Sequence, residues 1–197
     1  MIGSKFSTVK TLKRIPLLFV CVWTVIGLLL TIASTFLQPN LVIGFNAELL
    51  PIATTLQVGA VLLTGCLGGK NAGLFSQLLY VGLGLSGLPI FYNGGGMDYL
   101  QKPAIGFLIG FIPGAWLCGF LAFLKPPSIQ WLSFSCISGL VAIHLVGIFT
   151  ILVFNITQLN VANQLIWSYS FNFFPYQLVV ISGTVVFAKI LRWILLY

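Results

Sequence analysis

The chain has 197 residues, 59% of them hydrophobic and only 6% charged, with a mean hydropathy of +1.10. Soluble domains carry about a quarter charged residues, so a water-soluble enzyme or regulatory domain is excluded and an integral membrane protein is indicated. The net charge of +7 does not point to nucleic acid, because the nine basic residues are scattered among apolar spans and line no soluble face.

Uncharged runs cover Ile15 to Ala47, Leu49 to Gly69, Asn71 to Met97, Pro103 to Leu124 and Pro126 to Ala188. A helical span needs roughly 20 apolar residues, so the first four runs hold one span each and the last holds two. The last splits where it turns polar, around Asn155, Thr157, Gln158, Asn160, Asn163 and Gln164. The expected fold is an all-α, six-helix transmembrane bundle. Its helices are expected near Pro16 to Leu37, Ile52 to Leu67, Ala72 to Gly87, Ile105 to Leu124, Ile129 to Phe154 and Pro175 to Leu196. The ten-residue alternation of a membrane β-barrel is absent.

With both termini cytoplasmic, eight of the nine basic residues fall inside and Lys102 alone outside, which is the positive-inside bias. Residues 1–197 then form one transmembrane domain, with 1–15 as a basic cytoplasmic tail suited to an anionic leaflet. The first apolar run is too long for a cleaved signal peptide.

In the first helix, Gly27 and Thr31 form a small-xxx-small pair that serves either packing within the chain or docking to a partner subunit. Pro51 opens the second helix, and Thr54, Thr55 and Gln57 follow; in lipid each needs a partner, so an inward or cavity-facing position is one reading and local capping the other. Glycine then recurs at Gly65, Gly69 and Gly73, and again at Gly106, Gly110 and Gly114, spacings that let neighbouring backbones come close. Between these sets lies a polar loop, Pro89 to Lys102, carrying Phe91, Tyr92, Asn93, Gly94 to Gly96, Asp98 and Lys102. Aromatics, an amide and charges around three glycines suggest a ligand-contacting loop whose backbone N–H groups can approach the ligand.

Further along, Pro113 is expected to kink the fourth helix. His144 has no acid at its depth and is expected to bond a neighbouring helix. Asn155-Ile-Thr157 matches a weak glycosylation pattern. The stretch Trp167 to Tyr176 is read as an outer-interface segment covering the Gly-rich loop, or as an aromatic belt. Four cysteines, Cys21, Cys66, Cys118 and Cys136, are widely spaced and form no metal or redox motif in sequence. No catalytic triad, HExxH, zinc spacing or phosphate loop is present, so neither an enzyme nor a self-energised pump is expected, and no cofactor.

Pro51 to Phe111 carries several motifs in one order. They are the Pro51 to Gln57 opening, the Leu67-x-Gly69-x-x-x-Gly73 turn, the Tyr80-x-x-x-Gly84-Leu-x-Gly87-Leu-Pro89-x-Phe91 segment, and the glycine loop. This region resembles the BioY family, the biotin-specific substrate-capture components of energy-coupling-factor (ECF) transporters. The resemblance implies a cell-membrane bundle that binds biotin near its outer face and joins a transmembrane coupling subunit and two cytoplasmic ATPases. It also adds weight to the docking use of Gly27 and Thr31, and it places Asn93 at a ligand-binding loop position.

Two motifs depart from the family pattern. G-P-T-G-G-Y becomes Lys102-Pro-Ala-Ile-Gly-Phe107, and F-x-P-x-D-x-x-K in the last helix becomes a segment with Gln177 for the acid and Val180 for the lysine. The expected site is therefore Asn93 and Gln177 for the ureido group, with Phe91, Tyr92 and Trp167 as walls and Gln57 and Phe107 among its further residues. Asp98 lines it, and Lys102 stands in for the lysine lost at Val180. The departures keep two alternatives open: a related component for another vitamin, and a nontransporting membrane scaffold.

Overall fold

The computed structural model describes residues 16–37, 53–92 and 94–196, with side chains from 56 onward in the second segment and to 195 in the third. The basic tail, the first outer loop with Glu48 and Pro51, the Thr54 and Thr55 side chains, and Asn93 lie outside the described residues. Helices are α1 (Leu17–Phe36), α2 (Ala53–Leu85), α3 (Ile105–Ala122), α4 (Ile129–Phe154), α5 (Leu159–Ile166) and α6 (Phe174–Leu196); no strand occurs among the described residues. Five helical stretches are long and apolar enough to cross a membrane, the second spanning Leu56–Leu85 and the last Leu159–Leu195.

α2 is not one rod. At Gly69 the backbone takes φ 79° and ψ −178°, a left-handed φ that glycine adopts without steric cost, and the chain reverses. The proof lies in its contacts: Gln57 Nε2 is 2.6 Å from the Tyr80 hydroxyl, whereas residues that far apart in a continuous helix would be about 34 Å apart. A Cβ on Gly65 and one on Gly73 would both press on the Ala115 carbonyl oxygen, at 2.7 and 2.9 Å. The Gly65, Gly69, Gly73 spacing is thus two arms meeting α3, with the turn at Gly69 between them. The second set faces elsewhere: Gly106 meets Thr150, while Gly110 and Gly114 meet Ile143. It seats α3 on α4.

α1 packs on α2, α2 on α3, and α3 on α4, while α6 closes the bundle against α2 and α4. Without a hydrophobic drive between helices in lipid, close approach through small residues and buried polar contacts supplies the cohesion. Gly27 illustrates it. A Cβ there would lie 2.2 Å from Thr64 and 3.0 Å from Ser76, and Thr31, fully buried, accepts from Gln77 Nε2 at 3.0 Å. The Gly27 and Thr31 pair therefore packs inside the chain against α2, not on a face open to a partner.

The two ends of the bundle differ in charge. At one end Lys70 lies 5.5 Å from the Phe120 ring and Lys125 4.1 Å from that of Trp131. Lys189 donates to the Pro127 carbonyl, and Arg192 Nη1 donates to that of Ala122 at 2.7 Å. At the other end the loop 86–104 carries Asp98 and Lys102. The segment after α4, which lies between the last two expected helices, is largely helical: Asn155 caps α4 through Ile151 O at 2.9 Å, α5 follows, and Trp167–Phe171 winds as a π-helical turn before α6. α3 continues past Pro113 without interruption.

Candidate functional site

A cavity of about 110 Å³ opens at the end that carries the loop. Gln57 and Val58 line it from the first arm of α2, and Tyr92, Tyr99 and Ala104 from the loop. Phe107, Leu108 and Phe111 come from α3, Ile143 from α4, Tyr169 and Phe173 from the segment after α5, and Gln177 from α6. Six elements, spread from Gln57 to Gln177 along the chain, thus converge on one space.

Gln57 is oriented by its surroundings. Thr35 Oγ1 donates its proton to Thr31 O at 2.9 Å, and Tyr80 Oη donates to Ile90 O at 3.1 Å. Both hydroxyls must then accept from Gln57 Nε2, which they do at 3.0 and 2.6 Å. With both amide hydrogens spent, the carbonyl Oε1 is what Gln57 retains for a ligand. Gln177 is the converse: its Oε1 is 2.7 Å from His144 Nε2, so with the imidazole donating, its two N–H donors remain. The cavity therefore pairs an acceptor on α2 with donors on α6. His144 bonds a neighbouring helix, as the sequence predicts, and its ring packs edge-on against Phe107 (5.7 Å) and Phe174 (5.9 Å).

The walls are aromatic. Phe107 stacks on Tyr169 at 6.1 Å with an interplanar angle of 21°. Tyr99 is 4% exposed, and burial, with Tyr169 nearby, pushes its phenol above the usual range, so it stays a neutral donor. Lys102 Nζ sits 4.6 Å above the Tyr99 ring, at the loop side of the cavity.

The glycine loop is a fixed piece of structure. Phe91 and Gly94 exchange backbone hydrogen bonds at 2.9 and 3.1 Å, and Gly96 N–H donates to Gly84 O at 2.8 Å. Gly94 and Gly96 have φ of 105° and 94°, left-handed values that favour glycine, while a Cβ on Gly95 would fall 2.1 Å from Leu88 O. The N–H groups of Gly94 and Gly96 are spent on Phe91 O and on Gly84 O at the end of α2, which corrects the expectation that they reach a ligand.

Of the expected site residues, the structure brings Gln57, Tyr92, Phe107 and Gln177 onto the cavity. Phe91 is not among them: at 1% exposure it is wedged between Tyr80 (5.3 Å) and Tyr99 (4.7 Å), where it anchors the loop. Asp98 is exposed in the 3-10 turn Met97–Gln101. Val180 turns to a separate groove between α1, α2 and α6, against Gly59. Trp167, expected as wall, is 60% exposed and packs at a tilt against Phe171; Tyr169 and Phe173 take that role, because the π-helical turn resets which side of the segment faces inward. Tyr99 was legible only as one more aromatic in the loop.

Elsewhere, at the basic end, Cys66, Cys118 and Cys136 bring their sulfurs within 4.8 Å of one another. Three helices supply one thiol each, so their wide sequence spacing concealed the grouping.

Compared with known proteins, residues 8–195 match the BioY family. A probable biotin transporter BioY of Lysinibacillus sphaericus is 38% identical over 118 residues, 59% of each chain, so the match spans about three fifths of that relative. An uncharacterized 21.2 kDa protein of Cyanophora paradoxa is 31% identical over 182 residues, covering 90% of this chain and 96% of its own. In fold, the chain is similar to the crystal structure of the S-component for biotin from an ECF-type ABC transporter, with TM-score 0.69, 22% identity, and 89% and 91% of the two chains covered.

Proposed function

The chain belongs to the BioY family, and on that premise we propose that it is the substrate-capture subunit of a biotin uptake system. It crosses the cell membrane six times, the two arms of α2 each counting as a pass, with both termini and the basic end cytoplasmic and the cavity facing outward. Residues 1–197 act as one domain. With no nucleotide-binding motif of its own, it draws on a membrane coupling subunit and two cytoplasmic ATPases for transport.

One observation carries the ligand assignment: the opposed amides of the cavity. A cyclic urea offers N–H donors beside a carbonyl acceptor. Gln57 Oε1 accepts from the former and the Gln177 amide donates to the latter, while Phe107, Tyr169 and Phe173 enclose the fused rings. Asn93 adds a further amide from the loop, and Lys102 meets the carboxylate at its edge.

Purified protein in nanodiscs is expected to bind radiolabelled biotin saturably at micromolar concentration or below. Folded protein that takes up no biotin but is stabilised by another vitamin in a thermal-shift panel would replace this reading with the other-vitamin one. No stabilisation by any member would favour a scaffold. Copurified coupling and ATPase subunits are the expected companions.

A further inference from the structure

Cys66, Cys118 and Cys136 are each fully buried, with Sγ separations of 3.5 Å (Cys66 to Cys118), 3.5 Å (Cys66 to Cys136) and 4.0 Å (Cys118 to Cys136). They reach one point because glycine lets their helices close up. A Cβ on Gly65 would fall 2.7 Å from Ala115 O, and one on Gly139 would fall 2.9 Å from the Cys118 Cβ. An ion equidistant from the three sulfurs and in their plane would lie about 2.1 Å from each, against about 2.3 Å for a zinc–thiolate bond. A shift of a few tenths of an ångström, or an ion slightly out of plane, makes up the difference.

From this geometry we infer that the three cysteines form a binding site for a soft, thiophilic monovalent cation of the Cu(I) type. Three thiolates and no other donor suit it. No histidine or carboxylate joins the group among the described residues, whereas structural zinc takes four ligands, and sulfur-only ligation selects soft ions. Binding exchanges the thiol protons for the metal and changes no oxidation state. Up to three protons leave, and the net negative charge of the filled site is partly offset by Arg192, 2% exposed and bonded to Ala122 O one turn beyond Cys118 on α3. The site is separate from the cavity: Cys118 lies seven residues from Phe111, the cavity-lining residue nearest to it on the same helix, about 10 Å along its axis.

The test is titration of the full chain in nanodiscs with Cu(I) under reducing, anaerobic conditions against a chromophoric Cu(I) chelator. One copper per chain is expected, retained by Cys21→Ser and reduced at least tenfold in affinity by Cys66→Ser, Cys118→Ser or Cys136→Ser, with biotin binding unchanged. Copper held equally well by the triple serine variant, or none held against the chelator, overturns the proposal. Should the serine variants not fold, X-ray absorption of the copper-loaded unsubstituted chain decides. Three sulfur neighbours support the site; nitrogen or oxygen ligation refutes it.

Discussion

Replacing Gln57 by leucine isolates the acceptor half of the cavity. The side chain is 4% exposed, and leucine, shorter by one heavy atom but of comparable volume, keeps the packing change small. Thr35 and Tyr80 keep their own donations to Thr31 O and Ile90 O and lose only the protons they accept, so the fold should weaken by about 2 kcal/mol. A ligand N–H left unanswered in a closed site costs about 1–3 kcal/mol, or a rise in biotin Kd of roughly five- to 150-fold. Calorimetry in nanodiscs measures it. A biotin methylated on a ureido nitrogen separates contact from distortion: if Gln57 Oε1 accepts from that N–H, the methylated ligand binds weakly to the unsubstituted chain and no more weakly to Gln57→Leu. An unchanged biotin Kd in folded Gln57→Leu protein, or fully additive losses in the cycle, would refute the argument that Thr35 and Tyr80 aim this amide at the ligand.

Other predictions follow from the same geometry. Lys102→Ala should weaken biotin about ten- to 150-fold through loss of a charged hydrogen bond, while biotin methyl ester binds both proteins alike; equal losses for acid and ester would remove Lys102 from the carboxylate. His144→Leu frees Gln177 Oε1 from the partner it has at 2.7 Å and should raise the biotin Kd about fivefold, close to 1 kcal/mol. An unaltered Kd would show that Gln177 needs no such anchor. Gly95→Ala forces a Cβ to 2.1 Å from Leu88 O; the loop must shift at a cost of about 1–3 kcal/mol, seen as a lower melting temperature and weaker biotin binding, and a variant as stable as the parent would contradict the loop geometry.

Much of the fold was legible in the sequence because membrane burial writes itself into composition. Uncharged runs located α1, α3, α4 and α6, and glycine spacing marked where backbones touch. The reversal at Gly69 and the loop at 89–102 were also placed. What the pattern could not convey was direction. In lipid an outward and an inward face are both apolar, so nothing in the residues told Phe91, which turned into the core, from Tyr92, which lines the cavity. The same ambiguity hid the inward side of Trp167–Phe171, where a π-helical turn changes the period, and sent Val180 to the far side of α6 while Gln177 faced in.

By itself, then, the sequence determined that the chain lives in a membrane, where its helices run, that its positive charge gathers at one end, and which family it resembles. Only the tertiary structure decided that Gln57 and Gln177 line one cavity, that the N–H groups of Gly94 and Gly96 are spent on Phe91 O and Gly84 O, and that three cysteines from three helices share one point. The reason is physical. Apolarity and backbone propensity are properties of a local stretch, whereas the orientation of an amide and the convergence of three thiols exist only once separate helices have packed.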